Sequence, residues 1–382
     1  MKENKNIPEL RFPEFEGKWD RMKLKNVSTY FNGGSFENDV QEEGKYELVT
    51  LKSVDMNGNL VHSKRYIDVE VPTLSKDTLV MILSEQAPGL LGMTSLIPID
   101  NKYVLNQRVA EIRPTDKVKS YFLSMAINRN QRYFSKHGAG TKVQNISKPN
   151  VENYEFYCPS LPEQTKIANF LTTVDERINL LTQQKEKLEQ YKKGLMQQIF
   201  SQQLRFKDDN GKAFPEWEEK RLTMICEKRA SNISANSLKE NKGPYKIYGA
   251  TGFLQNVDFY REGQPYISIV KDGAGVGRVL LCEQKSSVLG TLDIIKPKDE
   301  NSLDFLFSVL TRISFTKYVT GSTIPHIYFK DYSKEKVNVP CFAEQQKIAD
   351  FLSSIDQKIE LVRSQIEQTK HWKKGLLQQM FV

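Results

Sequence analysis

The amino-acid sequence predicts an α+β protein made by pseudo-two-fold tandem duplication, with two β-rich globular domains separated by two long antiparallel coiled-coil helices. The main observation is an internal repeat. The segment PSLPEQTKIANFLTTVDERINLLTQQKEKLEQYKKGLMQQIF at 159–200 returns as PCFAEQQKIADFLSSIDQKIELVRSQIEQTKHWKKGLLQQMF at 340–381 without a gap. A looser repeat opens each half, LRFPEFEGKWDRMKL at 10–24 and LRFKDDNGKAFPEWEEKRL at 204–222. The two halves therefore follow one plan: an opening motif, a globular stretch and a long helix.

The repeated segment predicts a helix with a coiled-coil seam, because its apolar residues alternate between spacings of four and three. The seam residues are Ile167, Leu171, Val174, Ile178, Leu181, Leu188 and Leu195 in the first copy, and Ile348, Leu352, Ile355, Ile359, Val362, Ile366 and Leu376 in the second. Generic dimerisation is the usual interpretation of one such seam. Two matching copies in one chain can instead pair with each other in antiparallel fashion. The polar interruptions are interpreted as a device for pairing specificity; they are Lys185, Lys192, Thr369 and Lys373.

The stretches between the helices, 25–158 and 223–339, share little sequence outside their ends. Both contain β-rich segments, which are ELVTLKSV, LVMILS and VAEIRP in the first stretch and PYISIVKD, RVLLCE and SSVLGTLDIIKP in the second. A duplicated scaffold with divergent modules is expected if each module recognises something different. The predicted domains are a first globular domain, a central helix, a second globular domain and a C-terminal helix, at 1–158, 159–201, 202–339 and 340–382.

Composition and charge fit a protein of the reducing cytoplasm. No apolar run approaches the roughly 20 residues of a membrane-spanning helix, and MKENKNIPEL has no apolar core of a signal peptide, so no membrane association is expected. The four cysteines form no CxxC pair and have no matching histidine spacing, which favours reduced thiols over disulfides or zinc ligands. They are Cys158, Cys226, Cys282 and Cys341. The net charge of +8 permits nucleic-acid binding without requiring it.

Each globular stretch ends in a loop that aligns with the other at the offset of the helix repeat, GTKVQNISKPN at 140–150 and GSTIPHIYFKD at 321–331. Hydroxyl, amide or imidazole, and lysine side chains in one loop can contact base edges and phosphates. The leading candidates are Lys142, Gln144 and Asn145, and Thr323, His326, Tyr328 and Lys330. Further candidates are Tyr248, Lys271 and Arg278 from the GATG and KDGAG turns, then Lys64 and Arg65. For His326, which aligns with Asn145, hydrogen bonds that fix the loop are an equal alternative to DNA contact.

Over its full length the chain resembles the specificity subunit of type I restriction–modification systems. The motifs that carry the resemblance are the helix starts LPEQTKIANFL and FAEQQKIADFL, the helix ends KKGLMQQIF and KKGLLQQMF, and YKIYGATGF, VKDGAGVGRVLL, SSVLGTLDIIKP and TGSTIPHIYFKDY. The resemblance implies that the two globular stretches are target recognition domains, each reading one half of a split site in double-stranded DNA. It also implies that the helices hold these domains apart and dock methyltransferase subunits.

The resemblance implies a chain without catalytic residues or cofactors of its own. Two adenine-methylating subunits and one or two restriction/translocase subunits would supply catalysis, with S-adenosylmethionine, ATP and Mg²⁺. The expected location is the bacterial cytoplasm, on the nucleoid when the complex is bound to DNA. Helices of about 38 residues would be about 57 Å long, which suits half-sites that lie ~34–36 Å apart, one turn of B-DNA.

The sequence allows three other interpretations of its function. The glycines of GAGVG could cradle a methyltransferase cofactor, but such a turn must open a helix, whereas RVLLCEQ follows here and predicts a strand. The sequence also lacks an [ND]PP[YF] box and a GxxxxGK[ST] loop, so a hairpin is the better interpretation. The dispersed histidines argue against a metal site. A coiled-coil assembly hub with two adaptor modules, without DNA, stays an alternative.

Overall fold

The computed structural model describes residues 6–86, 88–239 and 241–382. The chain forms two compact units, one comprising the residues up to Thr182 together with Ser364–Val382, the other comprising Gln183–Arg363. Each unit therefore contains one β-rich module, the first part of the helix that follows that module, and the last part of the other long helix.

The β-rich module of the first unit contains a four-stranded antiparallel sheet in the order β2-β9-β5-β7 and a three-stranded sheet in the order β4-β3-β8, in which β3 and β8 are parallel. Two-stranded pairs β1-β11 and β6-β10 complete it. The strands are β1 Asp20–Lys23, β2 Ser28–Asn32, β3 Tyr46–Val49, β4 Tyr66–Ile67, β5 Leu79–Ile82, β6 Ser84–Glu85, β7 Thr94–Leu96, β8 Tyr103–Leu105, β9 Val109–Pro114, β10 Gln144–Asn145 and β11 Glu155–Cys158. The short helices are α1 Ser120–Asn128, α2 Gln131–His137 and α3 Lys148–Glu152.

The module of the second unit repeats this topology in a different sequence. Its four-stranded sheet has the order β13-β19-β16-β17, and its three-stranded sheet has the order β15-β14-β18 with a parallel β14–β18 pair. The strands are β12 Glu218–Arg221, β13 Cys226–Ala230, β14 Tyr245–Gly249, β15 Gly252–Val257, β16 Tyr266–Val270, β17 Val279–Cys282, β18 Ser286–Val288, β19 Leu292–Pro297 and β20 Lys336–Val339. The short helices are α5 Leu222–Ile225, α6 Leu303–Thr311 and α7 Phe329–Tyr332. The duplication thus extends through the modules, where the sequences have diverged.

The long helices are α4, Leu161–Phe200, and α8, Phe342–Gln379. In the first unit Lys373, late in α8, donates to Asp175, early in α4, at 2.6 Å. In the second unit Lys192, late in α4, donates to Asp356, early in α8, at 2.6 Å. The two helices therefore pack antiparallel, and the predicted fold class is confirmed. Two of the polar interruptions of the seam are the lysines of these ion pairs.

Most of the seam residues of both helices are buried. Ile178, Leu188, Leu195 and Ile359 are half-buried, and the buried ones are Ile167, Leu171, Val174, Leu181, Ile348, Leu352, Ile355, Val362, Ile366 and Leu376. A stripe with this spacing is stable in water only when another apolar surface covers it. Helix pairing and packing against the modules therefore stabilise α4 and α8.

The core of the first unit closes around a buried carboxylate at the start of α4. Glu163, 2% exposed, accepts two hydrogen bonds of 2.7 Å from Arg11 and one of 3.2 Å from the indole N–H of Trp19. The Trp19 ring packs edge-on against Phe122, and Phe381 from the end of the chain stacks on Phe122 with 5.1 Å between centroids. A charge can be buried at acceptable cost only when it is paired and hydrogen-bonded. The opening motif, the helix start and the far end of α8 therefore meet at one point.

The second unit has the same arrangement at its own residues. Glu344, fully buried, accepts from Arg205 at 2.9 and 3.2 Å and from the Trp217 indole at 3.0 Å. These hydrogen bonds raise the pKa of the Arg205 guanidinium above its usual value. Phe305 stacks on Phe200, from the end of α4, with 5.6 Å between centroids. Each module is thus completed by the end of the helix that belongs to the other half of the sequence.

We expect Glu344→Ala to lower the free energy of unfolding of this unit by on the order of 3 kcal/mol, because the change leaves Arg205 without its buried partner. Urea unfolding followed by tryptophan fluorescence measures the loss. The matched control is Gln346→Ala, two residues along the same helix and exposed, which should cost less than about 0.5 kcal/mol. Equal unfolding midpoints for the two variants would contradict the role of the buried carboxylate.

Candidate nucleic-acid interface

The aligned loops of the two modules have the same backbone frame. In the first, Ala139 and Asn145 exchange both backbone hydrogen bonds, at 2.9 and 2.8 Å. In the second, Thr320 and His326 do the same at 2.8 Å each. Both pairs obey the offset of 181 residues that relates the long helices. Apart from the equivalent glycines Gly140 and Gly321, which have positive φ, the frame needs no particular side chain, so the two loops can present different residues in the same geometry.

In the second unit, three loops meet at this site. The amide of Gly273 donates to the carbonyl of Pro325 at 2.8 Å, and the amide of Ile327 donates to the carbonyl of Lys271 at 2.9 Å. The Arg278 guanidinium donates to the carbonyl of Ala250 at 2.6 Å. The GATG turn, the KDGAG loop and the loop at 320–328 therefore form one continuous surface, which we call the second-module loop surface.

The structure brings most of the candidates of the second module together on this surface. Exposed on it are Arg278, Thr323, Tyr328 and Lys330. The ammonium group of Lys330 lies over the Tyr328 ring, 5.2 Å from the centroid. Lys271 is half-buried and pairs with Asp272. The Nδ1 atom of His326 lies 3.1 Å from the carbonyl oxygen of Ile324, so part of this side chain fixes the loop.

Tyr248 does not belong to the surface. Its side chain is 8% exposed and packs in a small core with Tyr266 and Val288. It lies in β14, the central strand of its three-stranded sheet, which is paired on both edges. Burial raises the pKa of its hydroxyl. The expectation of a DNA contact by Tyr248 is therefore dropped, because the core already covers the ring.

In the first unit, Lys142 and Asn145 are exposed and Gln144 is half-buried. The side-chain oxygen of Asn145 accepts from the hydroxyl of Ser84, and its backbone pairs with the same residue in the β6–β10 ladder. These contacts hold the loop beside the segment after β5. Asn145 and His326 thus have comparable positions, each with part of its side chain engaged in the loop itself.

The segment that follows β6 is organised by Glu85, a buried carboxylate. One oxygen of Glu85 accepts from the amides of Gly89, Leu90 and Leu91 at 2.9, 2.7 and 2.8 Å. A carboxylate that accepts several backbone N–H bonds holds its loop rigidly. Sequence analysis did not identify Glu85, since a glutamate between two loops carries no signal of its own.

Lys64 and Arg65 lie just before β4. Lys64 is exposed and has a left-handed backbone with φ of 56°. Arg65 pairs with Glu37, and this hydrogen bond is the main reason that the pKa of Glu37 is lowered. An arginine that is already paired with a carboxylate offers less to a phosphate, so Arg65 is a weaker candidate than Lys142.

For the part of the chain that it describes, the structure also argues against a cofactor site at the glycine-rich turn, against reactive buried thiols and against a metal site. Gly273, Gly275 and Gly277 lie in the connection between the antiparallel strands β16 and β17, all with φ between 84° and 88°. No helix follows these glycines, which excludes the helix-opening turn of a cofactor site. Burial raises the pKa of Cys158 and Cys226 to about 12, so these thiols are unreactive near neutral pH. Among residues 6–86, 88–239 and 241–382, no group of three potential ligands is arranged to hold a metal ion.

Two sets of exposed apolar residues were missed by sequence analysis. Phe253, Leu254 and Ile324 are exposed on the second-module loop surface. On the long helices, large exposed apolar residues occupy equivalent positions of the repeat: Leu161 and Phe342, Leu180 and Leu361, and Tyr191 and Trp372. The repeat offset could have found the second set, since these positions stay apolar in both copies although they lie outside the seam. Within the described part of the chain, no helix is long and apolar enough to cross a membrane.

The two modules have the same topology, carry different side chains on equivalent loops and share a pair of helices. This arrangement defines a duplicated binding protein. The chain belongs to the type I restriction modification DNA specificity domain family, whose model matches residues 16–190 and 215–371. It is therefore a specificity subunit of the type I restriction–modification class, and the resemblance noted in the sequence is confirmed.

Relatives of the same class match nearly the whole chain. The type I restriction enzyme MjaVIII specificity subunit of Methanocaldococcus jannaschii is 23% identical, with 98% of this chain and 93% of the relative covered. The putative MjaX specificity subunit of the same organism is 24% identical, with 97% and 95% covered.

Solved structures share the fold. The crystal structure of the type I system S subunit from M. genitalium has a TM-score of 0.65 at 19% identity and covers 98% of this chain and 99% of its own. A chain from a study of complex assembly and conformational transition of the type I system has a TM-score of 0.54 at 18% identity and covers 95% and 96%.

We expect Gly321→Ala to distort the loop at 320–328 and to weaken duplex DNA binding by the assembled complex at least tenfold. Gly321 has φ of 88°, and an added Cβ would lie 2.5 Å from the carbonyl oxygen of Ile324. Strain at such a position typically costs ~1–3 kcal/mol. The control is Gly263→Ala, where the nearest atom would be 3.9 Å away. Fluorescence anisotropy with a labelled duplex compares the variants, and equal affinity of both would show that the loop is not part of the interface.

Proposed function

We propose that this specificity subunit reads a bipartite site in double-stranded DNA, with one half-site contacted by each module. The observation that carries the proposal is the pair of equivalent loops: Ala139–Asn145 and Thr320–His326 share their backbone hydrogen bonds but not their side chains. Side chains that differ on one frame would read different base sequences in the same docking geometry. The alternative, an assembly hub without DNA, gives no reason for this combination, and membership of a DNA specificity family also argues against it.

We propose further that the paired helices set the spacer between the half-sites. Helices α4 and α8 each contribute to both compact units, and their register is specified by Asp175–Lys373 in one unit and Lys192–Asp356 in the other. A change of register would separate both ion pairs and leave Lys192 and Lys373, which interrupt the apolar seam, without their partners. In this proposal, a register specified in this way would determine the spacer between the half-sites, as a split DNA site requires.

Catalysis in this proposal belongs to partner subunits. Two methyltransferase subunits that use S-adenosylmethionine would methylate adenine, and one or two restriction/translocase subunits that use ATP and Mg²⁺ would cleave DNA. The chain itself would bind and position the DNA in the cytoplasm, on the nucleoid.

The repeated exposed residues of the helices support docking of two identical partners. The first unit presents Leu161, Leu180 and Trp372, and the second presents the equivalent Phe342, Leu361 and Tyr191. Leu180 and Leu361 are each 60% exposed, and Trp372 and Tyr191 are 52% and 56% exposed. Exposed large apolar residues can mark interaction sites, and their occurrence at equivalent positions of both units favours one copy of the same partner per unit. Each set of three exposed residues includes residues of both long helices, so docking would depend on helix pairing.

Methylation mapping tests the bipartite site. Genomic DNA from cells that carry this chain with its methyltransferase subunit should show methylated adenines at one split sequence with a fixed spacer. Inserting about four residues after Lys185 in α4 and after the equivalent Ile366 in α8 should change the spacer and leave both half-sites unchanged, because the modules are not altered. A variant that retains methylation at the original spacer would contradict the role of the helices, and methylation without any split consensus would contradict the proposed function.

Substitutions on the repeated helix positions test docking. We expect Leu180→Glu or Leu361→Glu to remove one methyltransferase subunit and the double variant to remove both, because a buried carboxylate without a partner opposes association. Native mass spectrometry of the co-expressed complex should then give two, one and no methyltransferase subunits per chain. The control is Met224→Glu, an equally exposed apolar position outside the long helices. A double variant that retains both partners would exclude this surface.

A further inference from the structure

The β14–β15 hairpin of the second module projects exposed apolar side chains. The strands are antiparallel and turn at residues 249–252, and β15 is an edge strand of its sheet. Phe253 and Leu254 follow the turn and are 55% and 45% exposed. Adjacent large apolar residues on an open edge are unfavourable in water unless a ligand covers them.

Two cations lie on the second-module loop surface beside this hairpin. Arg278 donates to the carbonyl of Ala250 in the turn itself, and Lys330 lies over the ring of Tyr328 on the same loop surface. Within the described residues, no carboxylate lies within 4.0 Å of the charged nitrogens of Arg278 or Lys330. The patch therefore combines an apolar hairpin with two cations that have no carboxylate partner among those residues, which is complementary to a nucleic-acid duplex and not to an apolar protein surface.

The first module has an apolar feature at the same topological position. Its β3–β4 connection exposes Met56 and Val61, at 67% and 41%. A Cβ built on Gly89 would lie 3.0 Å from the methyl carbon of Met56, so this connection lies against the segment that Glu85 organises. Both modules thus place exposed apolar residues beside their candidate DNA-contacting loops, although the residues differ.

A two-stranded β-ribbon fits the major groove of B-DNA, where the apolar group available to a side chain is the 5-methyl group of thymine. We propose that the β14–β15 hairpin enters the major groove of the half-site read by the second module and that Phe253 and Leu254 contact thymine 5-methyl groups there. This inference rests on the proposed bipartite recognition and adds the class of base group that is read. Arg278 and Lys330 contact the flanking phosphates.

The experiment replaces single thymines by uracil in a duplex that carries the mapped site, which removes the methyl group and leaves base pairing intact. The complete complex with its methyltransferase subunits is used, and affinity is measured for the wild type and for Phe253→Ala, Leu254→Ala and the control Met224→Ala. For at least one thymine of the second half-site, uracil should weaken wild-type binding about fourfold, as expected for the burial of one methyl group. The same replacement should leave the affinity of one hairpin variant unchanged, while Met224→Ala retains the full effect.

Thymines of the first half-site provide an internal control, because their replacement should affect the wild type and the hairpin variants equally. A uracil effect that persists undiminished in both hairpin variants, or no effect in the wild type, overturns the inference while leaving bipartite recognition intact. A wild-type complex without preference for the split site would instead contradict the proposed function itself.

Discussion

One buried carboxylate at the first turn of each long helix is the contact on which each module depends. Glu163 and Glu344 are almost fully removed from solvent, and each is paired with an arginine and a tryptophan of the preceding opening motif. In the first unit the partners lie 152 residues apart in the sequence. Since an unpaired buried charge costs several kcal/mol, the module is stable only when the opening motif, the sheet and the helix start are assembled together.

The same point in each unit receives the end of the other helix. Phe381 stacks on Phe122 beside Trp19, and Phe200 stacks on Phe305 beside the equivalent tryptophan. Neither core is complete without a segment from the other half of the sequence. This exchange explains why the helix ends are among the best-matched parts of the repeat, since the end of each helix must pack both in the core of one module and along the other helix.

The candidate DNA-contacting loops do not have to satisfy these packing requirements of the core and the helices. The turns at 139–145 and 320–326 are closed by backbone hydrogen bonds, and the carboxylate of Glu85 holds its neighbouring segment through three amides. Apart from Gly140 and Gly321, whose positive φ favours glycine, a loop fixed by its backbone tolerates many side chains, so its exposed residues can change without loss of stability. The strong scaffold and the permissive loops together account for a chain whose helices match closely while its modules differ.

Local sequence patterns predicted the elements of the fold, but they predicted the candidate nucleic-acid interface only in part. The alignment of Asn145 with His326 and the hairpin at Gly273–Gly277 followed from the repeat and from β-rich flanks. The sequence did not show which of the candidate side chains are exposed and free to bind DNA. Tyr248 lies in a central strand and is buried, and Arg65 is engaged by Glu37, 28 residues away in the sequence. Both facts depend on segments that no local pattern connects.

The sequence alone determined the duplication, the helix seam and the β-rich character of the modules, because periodicity and a constant offset can be read from the order of residues. Only the tertiary structure decided how the chain divides into compact units, at residues 182 and 183 and at residues 363 and 364, within the long helices. It also decided which apolar residues remain exposed, at the β14–β15 hairpin and on the long helices. The physical reason is that burial is produced by segments far apart in the chain, so it follows from packing and not from composition.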